Sequence, residues 1–305
     1  MNMGFITSSY KSPTNLQLLS FFFLLFNLHA SSQSTNSSIT HGAMIRDGEI
    51  IVSPGEVFAL GFFSPTNSSS RYVGIWYYQI PDQTVTWVAN RDAPISGNFG
   101  VFGIRNGSLS LSDANGTIYW STDSFPSAGN LTAMLLDTGN FMLSTVADAG
   151  DDQNALWQSC TDPTDTYLPN MRVYMNITRG DSVSFVSWRT SSDPSRGNYS
   201  MEIDPRGAPQ IISWDESRRR IWRSGQWNQQ IFTGIPQMRS LFLSGFRLVP
   251  VNDDVMYFIF NNPNATPFMR FRINSTGEIE QLTWDEGRLE WVVSLALAFH
   301  SMPTV

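Results

Sequence analysis

Hydrophobic and polar positions alternate along most of this chain in short runs, and Gly, Asn, Asp and Pro punctuate the runs. Period-two alternation bounded by such residues is the pattern of half-buried strands joined by tight turns. It predicts strands at Gly74 to Tyr78, Val85 to Val88, Leu109 to Leu111, Ile118 to Trp120, Met134 to Leu136 and Phe141 to Leu143. Two Asn-Gly turn signals, at Asn106-Gly107 and Asn115-Gly116, have the close spacing of a meandering all-β domain. Beyond residue 180 the runs form longer hairpin units. Met201 to Ile203 and Ile211 to Trp214 flank Asp204-Pro205-Arg206-Gly207, while Phe271 to Ile273 and Ile279 to Leu282 flank Asn274 to Gly277. An acidic loop, Asp148 to Asn154, and a Pro-punctuated stretch to Asn170 separate the two patterns. The expected fold is all-β, in two β domains with a boundary near residues 160–180.

The first thirty residues depart from this pattern. Lys11 precedes an apolar run from Leu16 to Leu28, followed by the small residues Ala30, Ser31 and Ser32. A basic start, an apolar segment shorter than the roughly 20 residues of a spanning helix, and a small-residue site describe a secretory signal peptide. We place it at residues 1–32 and expect a secreted, extracellular product. The apolar tail from Trp291 to Phe299 is less than half the length of a span, so no transmembrane segment is expected in this chain.

Composition then removes function classes. The 305 residues carry a net charge of −7, with 41% apolar and 15% charged residues, and Lys11 is the only lysine. Once it leaves with the signal peptide, the cations are all arginine, which excludes a P-loop and a kinase strand lysine from the mature chain. The histidines, His29, His41 and His300, lie near the ends and disfavour a Ser-His-Asp triad or a multi-histidine metal site. The single cysteine, Cys160, excludes an internal disulfide framework, a cysteine zinc cluster and a CxxC site. No metal, no cofactor and no catalytic residue are expected. Net negative charge disfavours nucleic acid, and the run Arg218 to Arg220, following Asp215 and Glu216, reads as a solvated strand edge or turn.

Secretion gives meaning to nine Asn-x-Ser/Thr sequons: Asn36, Asn67, Asn106, Asn115, Asn130, Asn176, Asn198, Asn264 and Asn274. Glycosylated positions must be exposed, so these are expected in loops or at solvent-facing strand ends. Trp76, Trp87, Trp120 and Trp157, and later Trp188, Trp222 and Trp227, sit in or beside β-like runs and are expected in the core rather than on sugar faces. Cys160 is expected as a buried, inert thiol; an intermolecular disulfide, and with it a dimer, is the sharper alternative.

The residues also carry a resemblance. Gly61-Phe62-Phe63-Ser64-Pro65, Tyr72-Val73-Gly74-Ile75-Trp76-Tyr77 and Thr86-Trp87-Val88-Ala89-Asn90-Arg91-Asp92 resemble the bulb-type lectin domain of plant S-domain (G-type lectin) receptor-like kinases. Leu136-Asp137-Thr138-Gly139-Asn140, Leu156-Trp157-Gln158-Ser159 and Pro163-Thr164-Asp165-Thr166-Tyr167-Leu168-Pro169 continue it. Ser187-Trp188-Arg189, Asp193-Pro194-Ser195, Gly197-Asn198-Tyr199-Ser200 and Trp222-Arg223-Ser224-Gly225-Gln226-Trp227-Asn228 resemble the S-locus glycoprotein domain. The resemblance covers about residues 33–291. It implies a β-prism lectin domain at 33–165 and a second β-rich, S-locus glycoprotein-like domain at 180–291, incomplete at its C-terminal side. Residues 292–305 then form a divergent tail. Complete members continue into EGF-like and PAN modules, a transmembrane helix and a Ser/Thr kinase; we expect this chain to be a truncated ectodomain without them. Gln229 stands where the resemblance leads one to expect glycine.

Bulb-type mannose lectins carry Gln-x-Asp-x-Asn-x-Val-x-Tyr, whose polar side chains project from one face onto hexose hydroxyls. The best register here is Leu136, Thr138, Asn140, Met142 and Ser144, in which only Asn140 matches. A second register, Ile104, Asn106, Ser108, Ser110 and Ser112, matches nowhere. Asn140 is therefore the one candidate carbohydrate-binding residue, in a degenerate site. The leading expectation is an extracellular recognition module of the pollen-recognition-type signalling family, binding a glycan, a peptide or another receptor ectodomain. A secreted mannose lectin is the alternative. A glycoside hydrolase using Asp285 and Glu286, or Asp215 and Glu216, is remote, because such neighbours in turns project apart.

Overall fold

The structure is a computed structural model that describes residues 36–126, 128–241, 245–262 and 268–297. The expected signal peptide, Asn264 and His300 lie outside the described residues. Those from Asn36 onward form one compact unit, and every strand pairing in it is antiparallel.

The first half contains three sheets. One orders β1 (Ser38–Thr40), β11 (Leu131–Leu135), β12 (Phe141–Thr145) and β13 (Trp157–Gln158). A second orders β10 (Ile118–Ser121), β9 (Ser108–Ser112), β8 (Val101–Arg105) and β2 (Met44–Arg46). The third orders β3 (Ile50–Val52), β4 (Phe58–Phe63), β5 (Ser70–Tyr77) and β6 (Val85–Val88), with β7 (Ile95–Ser96) also on β5. Each sheet sends one tryptophan into a shared cluster: Trp120 from β10, Trp157 from β13 and Trp87 from β6. Their ring centroids stand 5.4–5.8 Å apart in edge-on pairs, the geometry that the aromatic quadrupole favours. Three sheets closing on one aromatic centre make the β-prism.

Local chemistry accounts for the turns. Asn106 and Gly107 both have positive φ, 50° and 77°, as a two-residue type I′ hairpin requires, and they join β8 to β9 with Arg105 opposite Ser108. Asn140 is not within a strand. Leu136 to Asn140 form the turn between β11 and β12, closed by the Leu136 amide on the Asn140 carbonyl at 2.9 Å. The alternation expected from Leu136 to Ser144 therefore breaks at this turn, and the second register, Ile104 to Ser112, is interrupted by the Asn106-Gly107 hairpin.

The second half also contains three four-stranded sheets. They order as β14 (Thr166–Tyr167), β23 (Met269–Ile273), β24 (Ile279–Asp285) and β25 (Glu290–Leu297); as β16 (Asp181–Ser182), β15 (Val173–Asn176), β22 (Val255–Phe260) and β21 (Phe246–Pro250); and as β17 (Ser184–Thr190), β18 (Asp193–Asp204), β19 (Gln210–Trp214) and β20 (Arg220–Arg223). Strand β25 carries the pairing with β24 past Trp291 to Leu297. The motif from Trp222 to Asn228 is a folding device. Ser224 Oγ accepts the Ile211 amide at 2.9 Å, Gly225 sits at φ 69° against Thr233, Trp227 is buried, and Asn228 Oδ1 accepts the amides of Gln230 and Ile231.

One hydrophobic cluster runs through both halves. Tyr77 of β5 reaches across to donate to the Met269 carbonyl at 3.0 Å and packs edge-on against Phe268, while Trp291 Nε1 donates to Thr84 Oγ1 at 2.8 Å. The Asn90-Arg91-Asp92 tripeptide ties the halves with hydrogen bonds. Asn90 stays within the first half, accepting the Val73 amide and donating to the Ala93 carbonyl. Arg91, only 5% exposed, donates from Nε, Nη1 and Nη2 to the carbonyls of Pro194, Val186 and Ser187 at 2.8, 3.1 and 2.8 Å. Asp92 accepts the backbone amide and the guanidinium of Arg196, both at 2.9 Å.

Trp76, Trp87 and Trp227 are buried, as expected; Trp120, Trp157, Trp188 and Trp222 are half-buried and pack against the core. Arg218 and Arg219 lie in the β19–β20 turn, where Arg218 covers the Trp214 ring and Arg219 pairs with Asp215, and Arg220 opens strand β20.

Candidate ligand site between the two halves

A cavity of about 370 Å³ opens where the Leu136 to Asn140 turn of the first half faces β15 and β22 of the second. Its volume falls within the roughly 300–1,000 Å³ of small-molecule sites. Apolar contact comes from Leu136, Leu168 and Ile259; polar contact comes from Thr138, Asp152, Asn170, Arg172, Tyr174 and Asn261.

The polar groups are held in pairs. Arg172 Nη1 bridges to Asp152 at 3.3 Å and its guanidinium lies 5.4 Å from the Tyr257 ring centre, so it is held at the wall yet remains partly open. The neighbouring Asp152 carboxylate raises its affinity for a proton above that of an ordinary arginine, against the opposing pull of burial. Asn261 Nδ2 donates to Asn170 Oδ1 at 2.8 Å. A charged pair, an amide pair and the exposed Thr138 hydroxyl thus line a half-apolar pocket, the mixture that orients hydroxyl-rich ligands.

Asn140, the residue the sequence singled out, lines this cavity, but its amide is committed internally. Nδ2 donates to Gln158 Oε1 at 2.7 Å, and Oδ1 accepts from Ser159 Oγ at 3.3 Å and from the Cys160 amide at 3.4 Å. Gln158 in turn donates to the Asp152 carbonyl at 2.6 Å, and Ser159 Oγ accepts the Phe141 amide at 2.9 Å. The motif around it is equally structural. Asp137 Oδ1 accepts the Gly55 amide at 2.7 Å, and Gly139, at φ 79°, faces Leu168 and Phe58 so closely that any Cβ would clash. Leu-Asp-Thr-Gly-Asn and Trp-Gln-Ser are two sides of one hydrogen-bonded joint.

The sequence missed the second-half wall, because nothing local marks Asn170, Arg172 or Asn261 as neighbours of residue 140. Cys160 lines the cavity too. Burial pushes its thiol up to about 12, and Sγ lies 3.4 Å from Gln158 Oε1, so it is a held, protonated thiol. Among the described sequons, Asn36, Asn67, Asn106, Asn115, Asn130 and Asn198 are exposed, and Asn176 and Asn274 are half-buried. The Asn274 amide donates to Glu278 and Glu280, both at 3.0 Å. Asp215 and Asp285 accept backbone amides that close their own turns, Ser217 and Arg219 for the one, Gly287 and Arg288 for the other. Among the described residues no group of His, Cys, Asp and Glu could hold a metal ion, and no helix is long and apolar enough to cross a membrane.

The fold is all-antiparallel β, and two families match parts of the chain. Residues 84–189 match the D-mannose binding lectin family, and residues 222–301 match the S-locus glycoprotein domain. The chain is 44% identical over 280 residues to G-type lectin S-receptor-like serine/threonine-protein kinase B120 of Arabidopsis thaliana, across 88% of this chain and 32% of that protein. It is 41% identical over 283 residues to the putative G-type lectin S-receptor-like serine/threonine-protein kinase At1g61610 of the same plant, across 91% of this chain and 33% of that one. Among solved structures, the Japanese Marasmius oreades lectin matches at 16% identity over 41% of this chain and 90% of that one, with a TM-score of 0.30. The chain belongs with the lectin and S-locus glycoprotein region of the G-type lectin S-receptor-like kinases. It spans about a third of the length of the curated relatives it matches, and the matched part is their lectin region rather than a catalytic domain.

Proposed function

We propose that the chain is a non-catalytic, extracellular recognition module that takes a small hydroxyl-rich ligand in the cavity between its halves, and not mannose on the degenerate Asn140 motif. The observation that carries this reading is the commitment of both polar atoms of Asn140 to Gln158, Ser159 and Cys160. Polar groups already paired within the protein must give up those bonds before they can hold a sugar hydroxyl. The cavity wall, by contrast, presents Thr138, Arg172 and Asp152 at partly open positions. Secretion through residues 1–32, glycosylation of the exposed sequons and a place in pollen-recognition-type signalling belong to the same proposal.

A glycan array probed with the full secreted chain tests it, alongside the Thr138→Trp variant. Thr138 is exposed at the cavity wall, so a tryptophan there blocks the cavity without entering the core. Binding to a non-mannose glycan that Thr138→Trp abolishes supports the proposal. Mannose binding that survives Thr138→Trp overturns it.

A further inference from the structure

A second cleft, of about 220 Å³, shares no lining residue with the junction cavity. It lies between the start of β6, the end of β17 and the β23–β24 turn, with Thr84, Asp165, Trp188, Thr190, Ser191 and Arg270 on its walls. The group that sets it apart is Arg270, a guanidinium only 6% exposed. Among the described residues its hydrogen bonding is one long contact, Nη1 to the Val85 carbonyl at 3.4 Å, and its Nε has no partner. It lies 4.9 Å from the Trp291 ring centre, which favours the cation but supplies no acceptor.

Neither nearby carboxylate hydrogen-bonds the Arg270 guanidinium, although the Asp165 charge acts on it from a distance. Glu280 takes the fork of Arg272 at 2.9 and 2.7 Å, and Asp165 Oδ1 accepts the hydroxyls of Thr166 and Thr164 at 3.0 and 3.4 Å. Trp188 Nε1, in the same wall, is a second buried donor with no partner. Buried donors without acceptors are costly and rare in folded proteins. Both residues line one cleft; Arg270 Nε and Trp188 Nε1 are themselves closed off, so an acceptor that arrives with a ligand would meet the guanidinium at its terminal nitrogens.

The chemistry of that ligand follows from the mixture. An under-bonded guanidinium matches a planar carboxylate, which it can engage through two parallel N–H donors. A phosphate or sulfate would bring close to two negative charges near Asp165, whereas a carboxylate on a neutral, hydroxylated body brings one. The hydroxyls of Thr190 and Ser191 and the Asp165 carboxyl suit such a body. The volume lies below that of drug-sized sites, which limits the occupant to one small unit. Burial also pushes the Asp165 carboxyl above the usual carboxylate range, which weakens its repulsion of a neighbouring anion.

We propose that this cleft binds a hexuronate unit, a sugar whose carboxylate sits on Arg270 and whose ring hydroxyls face Asp165 and the Thr190–Ser191 rim. The proposal goes beyond the junction-cavity reading and does not depend on it. The test is isothermal titration of the full chain with D-glucuronate, D-glucose and acetate. Glucuronate is expected to bind at least tenfold tighter than glucose or acetate. Arg270→Lys, which removes the fork, and Thr190→Trp, which closes the exposed rim, should each weaken it at least tenfold, while Thr138→Trp in the other cavity leaves it unchanged. Should Arg270→Lys fail to fold, Thr190→Trp decides. Absence of glucuronate binding, equal binding of glucose or acetate, or binding indifferent to Thr190→Trp overturns the proposal.

Discussion

Replacing Arg91 by methionine should loosen the tie between the two halves. The methionine keeps much of the apolar stem but removes three charge-assisted hydrogen bonds, to Pro194, Val186 and Ser187. Each hydrogen bond to a charged group is worth about 1.5–3 kcal/mol, and each carbonyl left without a partner in a buried site costs about 1–3 kcal/mol. Burial itself works against the cation, pulling Arg91 below the ordinary arginine range, so removing the charge returns part of that loss. The balance is a destabilisation of about 3–5 kcal/mol, comparable with breaking a buried ion pair. For a chain of this size that lowers the melting temperature by about 10 °C. Arg91→Lys keeps the charge but offers a single ammonium in place of the fork, and should fall between the two. Differential scanning calorimetry reads both variants. A shift for Arg91→Met below about 3 °C, the scale of about 1 kcal/mol, would show that the tripeptide does not carry the junction.

Other consequences follow from single residues. With its thiol near 12, Cys160 should react with iodoacetamide at neutral pH about a thousandfold more slowly than a free cysteine of pKa about 8.5, and accelerate tenfold per pH unit to pH 11; rapid labelling at pH 7, or a dimer band on non-reducing electrophoresis, would contradict the held thiol. Gln229 sits at φ 76°, in the left-handed region that costs a non-glycine residue about 1–2 kcal/mol, so Gln229→Gly should stabilise by about 1 kcal/mol after the extra freedom of the unfolded glycine is counted. Thermal unfolding that shows no gain would mean the Gln229 side chain makes a compensating contact. Glycopeptide mass spectrometry should find Asn67 and Asn115 occupied and Asn274 bare, because the Asn274 amide nitrogen is already donated to Glu278 and Glu280. High occupancy at Asn274 would mean that the β23–β24 turn closes only after modification.

Much of this molecule is written locally. Strand β6 coincides with the run Val85 to Val88, and the Asn106-Gly107 pair makes the hairpin its chemistry demands, since alternation and positive φ are properties of a few consecutive residues. The glycine expected at 229 left its mark as a strained glutamine. Family membership was likewise legible, because many short motifs occur in order. The tertiary structure decided what those motifs do. Asn140 is the one position that matches the sugar-binding pattern, and only the folded chain pairs its amide with Gln158 and Ser159; Arg91 was one arginine among many until it met carbonyls about a hundred residues away. Likewise, neither cleft could be seen before the second half folded against the first. Strand propensity and turn chemistry are short-range, whereas burial and the identity of a hydrogen-bond partner depend on residues that only the folded chain brings together.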